Sequence, residues 1–216
     1  MPATASDPKL SGVANPYGAD GYSSIADEIV EQLGALPGIV CVPVASGDLF
    51  AATARRFREL RAGGRSALIV ACQPSEASPL AASLSAGRPV SIDRHESLAR
   101  STSDSSSGRL ALAAIQDDCA LVTVSETAIA DATRRLAASG FYVETSSALA
   151  LAGLEEARAR GLAGEDTTAV AIITATGRGW SEETPELFSP PGRASVGFSS
   201  LRGNGEERPR AFEQPP

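Results

Sequence analysis

Five short runs of consecutive apolar residues alternate with stretches whose apolar residues recur every three or four positions. This alternation restricts the possible folds more than any other feature of the chain. The runs are 39–44 (Ile-Val-Cys-Val-Pro-Val), 67–72 (Ala-Leu-Ile-Val-Ala-Cys), 119–124 (Cys-Ala-Leu-Val-Thr-Val), 141–144 (Phe-Tyr-Val-Glu) and 168–174 (Thr-Ala-Val-Ala-Ile-Ile-Thr). A strand wetted on one face alternates apolar with polar residues, whereas a strand covered on both faces is apolar throughout. The runs therefore predict strands in a middle layer. Between them, Ile25, Ile29 and Leu33 mark one helical stripe, and Phe50, Ala54, Phe57 and Leu60 a second. Ile129, Ala132 and Leu136 mark a third, and Leu151 and Leu154 a fourth. Each is followed by glycine (Gly34, Gly63-Gly64, Gly140, Gly161), the residue that most easily closes a helix in the left-handed conformation. Helices over roughly 78–86 and 108–117 complete the set. The pattern predicts an α/β fold: a parallel sheet of about five strands with helices on both faces and right-handed crossovers. Ligands of such sheets sit at the carboxyl ends of the strands. The loops to inspect are therefore 45–48, 73–79, 125, 145–147 and 175–180.

The chain has 216 residues, enough for one sizeable core. Residues 1–14 read as a flexible N-terminal arm, 15–180 as the folded domain, and 181–216 as a mostly disordered acidic tail. The tail holds six prolines and four glycines and few large apolar side chains. No run approaches the ~20 apolar residues of a membrane helix, and the N-terminus lacks the basic start and apolar stretch of a secretory signal. These features predict a cytoplasmic protein. A net charge of -7 argues against a nucleic-acid or anionic-membrane partner. Cys41, Cys72 and Cys119 are widely spaced, which predicts neither a disulfide framework nor a zinc site, and no metal site is expected. There is one histidine, His95, and one lysine, Lys9; the other basic residues are arginines.

Taken singly, the loops leave alternatives open. Ala45-Ser46-Gly47-Asp48 could present backbone amides to a phosphate at a helix start, or be a plain turn capped by Asp48. Thr176-Gly177-Arg178-Gly179 could let a ligand approach the backbone closely, or simply turn the chain. Glu144 would sit at a strand end, with Ser146 or Ser147 as a helix cap or a ligand contact. Ser78 and Pro79 read as the cap and first residue of a helix. Ser46 also sits in the strand-turn-helix setting of a nucleophile elbow, but the flanking glycines are missing and His95 is the one available base.

Together the loops resemble one family. Asn15-Pro-Tyr followed by Gly21-Tyr-Ser-Ser-Ile-Ala-Asp-Glu-Ile resembles the Asn-Pro-Tyr…Glu-Gly-x-Lys-Thr-x-Ala-x-Glu-Ile segment of threonine synthases. Val42-Pro-Val-Ala-Ser-Gly-Asp-Leu is similar to its Val-Pro-Val and phosphate loop, and Gln73-Pro-Ser-Glu-Ala-Ser-Pro-Leu to Gln-x-x-Gly-Ala-Ser-Pro-Leu. Val124-Ser-Glu-Thr-Ala-Ile, Val143-Glu-Thr-Ser-Ser-Ala-Leu-Ala-Leu-Ala-Gly-Leu and Thr176-Gly-Arg-Gly resemble later family segments in the same order. The resemblance is to threonine synthase-like, tryptophan synthase β-type pyridoxal phosphate (PLP) enzymes, and it covers residues 15–180.

It implies that the chain corresponds to the C-terminal, PLP-facing half of the family. It implies further that Ala45, Ser46, Gly47 and Asp48 line the cofactor phosphate, that Glu144 and Ser146 lie near the ring, and that Thr176, beside Gly177, meets the pyridine nitrogen. The family's Schiff-base lysine, smaller domain and substrate loop belong to the other half. Lys9 matches no family motif, so no catalytic residue is assigned to this chain. Asp48 departs from the family's glycine-rich phosphate loop, Arg178 replaces its histidine, and Ser23 its lysine.

Two readings follow. The chain is a subunit of a split PLP enzyme, a second polypeptide supplying the lysine for elimination or replacement on an amino acid. Alternatively it is a non-catalytic partner that stabilises or regulates a PLP enzyme. In either, another polypeptide or a second copy of the chain covers the apolar face exposed by a half-domain.

Overall fold

The computed structural model describes residues 16–61, 64–93, 96–116 and 118–179. The expected arm at 1–14, the tail at 181–216, Lys9 and His95 lie outside the described residues. In chain order the elements are α1 (Pro16–Asp20), α2 (Ser24–Leu33), β1 (Ile39–Pro43), α3 (Asp48–Glu59), β2 (Leu68–Pro74), α4 (Pro79–Ala86), α5 (Arg109–Ala114), β3 (Cys119–Val124), α6 (Glu126–Ala138), α7 (Thr145–Ala159) and β4 (Ala169–Ala171).

The strands form one sheet in the order β3-β2-β1-β4, and every pairing is parallel. β1 is buried along its whole length because its alternate residues feed two cores. Ile39 and Cys41 face Val70, Cys72, Val122, Ile129 and Leu149, on the side of α6 and α7. Val40 and Val42 face Ile69, Phe50, Phe57, Leu80 and Ala111, on the side of α3, α4 and α5. The α/β class and the two-faced covering agree with the sequence pattern.

The sheet has four strands where five were expected. Residues 141–144 contribute a single antiparallel bridge, Val143 to Thr176, because α7 begins directly after Glu144 and leaves no length for a strand. β4 is also shorter than the apolar run 168–174. The Ser147 hydroxyl accepts from the amides of Thr174 (3.2 Å) and Ala175 (2.9 Å) and draws the chain off the sheet. Gly34, Gly140 and Gly161 have positive φ at the ends of their helices, as expected.

α7 approaches the sheet closely because Gly153 has no side chain. A Cβ there would collide with Cys72 Sγ and lie 3.4 Å from Val122 Cγ2. Gly→Ala normally stabilises a helix interior by about 1 kcal/mol. Here Gly153→Ala is expected to destabilise by about 1–3 kcal/mol through overpacking. Denaturant unfolding checks the sign, and Cys72→Ala in the same chain is expected to restore most of the loss.

Candidate functional site

The loops after β1 and β4 lie side by side, because these strands are paired and parallel. Neighbouring strands run about 5 Å apart, so both loops reach the same stretch of the carboxyl edge.

After β1, the turn expected to be capped by Asp48 is built differently. Gly47 is the N-cap of α3, with φ 92°. Any other residue is strained there, and a Cβ would strike Ala111 Cβ. The glycine is thus required by the packing of α5. Asp48 is the first helical residue and its carboxylate caps nothing: Oδ1 is buried and has no hydrogen-bond partner. Burial pushes this carboxyl above its usual range. The Ala45 carbonyl accepts from Ser107 Oγ (3.0 Å) and the Ser46 carbonyl from the Gly108 amide (2.7 Å). These bonds occupy both carbonyls, and the turn leads directly into a 12-residue helix.

Gln73, at the end of β2, fixes this turn. Its Nε2 donates to the Val44 carbonyl (3.3 Å) and to Ser107 Oγ (3.4 Å), and its Oε1 accepts from the amides of Leu80 (3.0 Å) and Ala81 (3.4 Å). A fully buried amide is stable only with its capacity filled in this way. The start of α4 is thereby held by Gln73, and Ser78 makes no side-chain cap.

Glu144, just before α7 and so ahead of β4 in the chain, is the N-cap of α7. Ser146 and Ser147, expected as caps, lie in the first turn of that helix and are buried. Ser147 Oγ is 2.9 Å from Thr174 Oγ1, which locks the 172–176 loop onto α7. Glu144 is only 6% exposed, and burial raises its carboxyl above the ordinary value while a bond from Ser146 opposes the rise. Its side chain also accepts a hydrogen bond from Ser101 Oγ. Thr176 is exposed, and Gly177 is buried, donating to the Tyr142 carbonyl (3.0 Å). A Cβ at Gly177 would stand 2.9 Å from the Val143 carbonyl.

The structure therefore places Ala45–Asp48 on the loop after β1, Thr176 and Gly177 on the loop after β4, and Glu144 and Ser146 at the start of α7, which the Val143–Thr176 bridge joins to the β4 loop. Sequence reasoning missed Ser101, Ser107 and Gly108, which cover this edge. They lie in a serine-rich segment whose composition marks only a loop. A cavity of about 530 Å³ lies elsewhere, between α1, α3 and α5, lined by Ala51, Ala52, Leu110 and Ala114 and by the paired Arg55 and Arg58. It touches neither loop. Among the described residues no cluster of His, Cys, Asp and Glu is arranged to hold a metal ion, and no helix is long and apolar enough to cross a membrane.

A phosphate group fits the 45–48 turn by the chemistry of its donors: backbone N–H groups at a helix start, the Ser46 hydroxyl and the positive end of α3. The unpartnered Asp48 carboxylate opposes it.

A family model described as pyridoxal-phosphate dependent enzyme matches residues 8–175. Among curated relatives, the chain is 32% identical over 140 residues to the L-threonine dehydratase biosynthetic IlvA of Mycobacterium leprae, covering 63% of this chain and 32% of that protein. Among solved structures, it matches the processed form of threonine deaminase isoform 2 from Solanum lycopersicum with a TM-score of 0.66 at 26% identity, covering 78% of this chain and 49% of that one. It matches the threonine deaminase of T.th. with a TM-score of 0.61, also at 26% identity, covering 73% and 55%. The chain spans about a third of the length of the curated relatives it matches and about half of the solved structures. These relatives carry the names of threonine dehydratases and deaminases, where the sequence motifs resemble threonine synthases.

Proposed function

The chain belongs to the pyridoxal-phosphate dependent enzyme family, and from that premise we propose that it forms the cofactor-facing half of a lyase-type active site whose lysine comes from a second polypeptide. The reaction class is elimination or replacement on an amino acid. The dehydratase and deaminase relatives favour elimination from a hydroxy amino acid.

The observation that carries this reading is the meeting of three segments: Ala45–Asp48 after β1 and Thr176–Gly177 after β4 on one sheet edge, and Glu144 and Ser146 at the start of α7, joined to the β4 loop by the Val143–Thr176 bridge. When bound, pyridoxal phosphate supplies an electron sink for bond breaking at the amino acid's α-carbon. The amides of 46–48 and the Ser46 hydroxyl would hold the phosphate, helped by the positive end of α3. Thr176, whose hydroxyl is exposed, would meet the ring nitrogen, and Glu144 and Ser146, at the start of α7, would stand near the ring. The amine that the cofactor requires is not among these residues. Lys9 is the one lysine, it lies in none of the motifs that carry the resemblance, and arginine cannot take its place.

Asp48 favours a second reading, a non-catalytic partner that stabilises a PLP enzyme, because its carboxylate weakens the hold on phosphate. Borohydride reduction separates the two. The tagged full chain is purified from its native cell and reduced, and lysines carrying a pyridoxyl group are mapped by mass spectrometry. The expected result is a modified lysine on a polypeptide that co-purifies with the chain. A modified Lys9, or a chain recovered alone with no trapped cofactor, overturns the split-site reading. A co-purifying enzyme that retains its cofactor and activity without this chain supports the second.

A further inference from the structure

A short segment before α5 is tied across the start of α7 by bonds that the function above does not use. The Leu98 amide donates to Glu126 Oε2 (2.7 Å), and Thr145 Oγ1 donates to the Leu98 carbonyl. The Ser101 amide donates to Ser146 Oγ (3.1 Å), the Ser101 and Ser146 hydroxyl oxygens are 2.9 Å apart, and Ser101 Oγ also bonds Glu144 Oε1. Ser146 and Glu144 are buried, whereas Ser101 is exposed.

We propose that Glu144, Ser101 and Ser146 form a proton relay, in which Ser101 is the positioning residue that holds the Glu144 carboxyl and connects it to the ligand side of the sheet edge. The relay follows from proton counting. Each serine hydroxyl has one proton and can accept as it donates. With Glu144 ionised, the Ser101 and Ser146 hydroxyls both donate to the carboxylate. With Glu144 protonated, its O–H donates to Ser101, and Ser101 donates onward to Ser146, to water or to a ligand. One proton enters as one leaves, and no other bond changes.

The ligand class is one that exchanges a proton at a heteroatom, such as a hydroxyl, an amine or a ring nitrogen. The use of the relay rests on the proposed function; its existence rests on the geometry. Burial keeps the Glu144 proton available nearer neutrality than that of an exposed glutamate, against the opposing bond from Ser146. The charged groups on the surrounding elements are Glu126 at the start of α6, Arg100 and Asp104 on the strapping segment, and Arg178 after Thr176.

The test is an NMR pH titration of the full chain without cofactor, following the Glu144 carboxyl carbon and the backbone amide at position 101. Both are expected to move with one midpoint, above that of the exposed glutamates. Glu144→Gln is expected to flatten the response of that amide. Ser101→Ala removes a donor to the carboxylate, so the Glu144 midpoint is expected to rise by about half a pH unit or more. Ser101→Thr, which keeps the hydroxyl, is expected to restore it. An amide that stays flat while Glu144 titrates overturns the relay, and so does a midpoint unchanged in Ser101→Ala. A relay that titrates in a chain that is recovered from its native cell alone, with no trapped cofactor, leaves this proposal standing and removes the function proposed above.

Discussion

Asp118→Ala is expected to lower the unfolding free energy by about 3 kcal/mol. The carboxylate is 6% exposed and sits just before β3. It receives two bonds from Arg58, at 2.7 and 2.9 Å, and a third from Arg61 at 2.6 Å. These bonds join the C-terminal part of α3 to the start of β3. The paired guanidinium of Arg58 holds the Asp118 carboxyl down at about 2, against an ordinary 3.8, which corresponds to about 2 kcal/mol of stability. Removing the carboxylate also leaves Arg58, three-quarters buried, without its partner. Breaking such a pair costs about 3–5 kcal/mol. The lower figure applies because half-exposed Arg61 remains hydrated. A drop of about 9 °C in Tm follows at ~3 °C per kcal/mol for a chain of this size. The sign with pH is fixed. The native carboxyl titrates below the unfolded one, so the stabilisation is complete above the ordinary value and fades as pH falls through 3.8 towards 2. Thermal melts of both chains should therefore converge between about pH 5 and pH 2. A constant gap would assign the loss to packing.

Asp48→Asn is expected to raise the affinity of the 45–48 turn for inorganic phosphate, and for pyridoxal phosphate, by about tenfold or more. Two unit charges 4 Å apart at an effective dielectric of ~20 repel by about 4 kcal/mol, and partial exposure screens part of this. Asparagine keeps the size of the side chain and removes the charge. In the wild-type chain, affinity should rise as pH falls, because burial makes Asp48 take up its proton above the ordinary value of 3.8. The gap between variant and wild type should close over the same range. Calorimetric titration with phosphate at two pH values measures both effects. Equal affinities at neutral pH would place the carboxylate out of reach of the anion.

The three strands with the strongest consecutive apolar runs, β1, β2 and β3, are legible in the sequence to within a residue or two, because burial on both faces of β1 and β2, and partial covering of the edge strand β3, leaves a one-dimensional record. The segment 141–144 carries a false signal. Phe141 and Tyr142 are apolar but exposed, at 62% and 39%, so their hydrophobicity does not report burial. The start of α7 is hidden for the opposite reason. Thr145, Ser146 and Ser147 are polar but buried, because each bonds a loop elsewhere in the chain. Short polar residues in a helix's first turn read as caps until those loops are seen. The candidate site is legible as a set of loops, since parallel topology fixes which edge carries them. The pairing of Ser101 with Glu144 and of Arg58 with Asp118 is not legible, because residues dozens of positions apart leave no periodic trace.

The strand order has a temporal side. β1 is made well before one of its two neighbours, β4, which follows about 130 residues later, where Ile39 pairs with Ala169. At ~5–20 residues per second, that side of β1 waits on the order of ten seconds on the ribosome for its partner. The core of Ile39 and Cys41 closes only when α7, which lies just before β4, arrives as well. A nascent chain of this kind cannot complete its sheet piece by piece. Folding is governed by the emergence of α7 and β4, and the exposed flank of β1 is where a chaperone has most to protect.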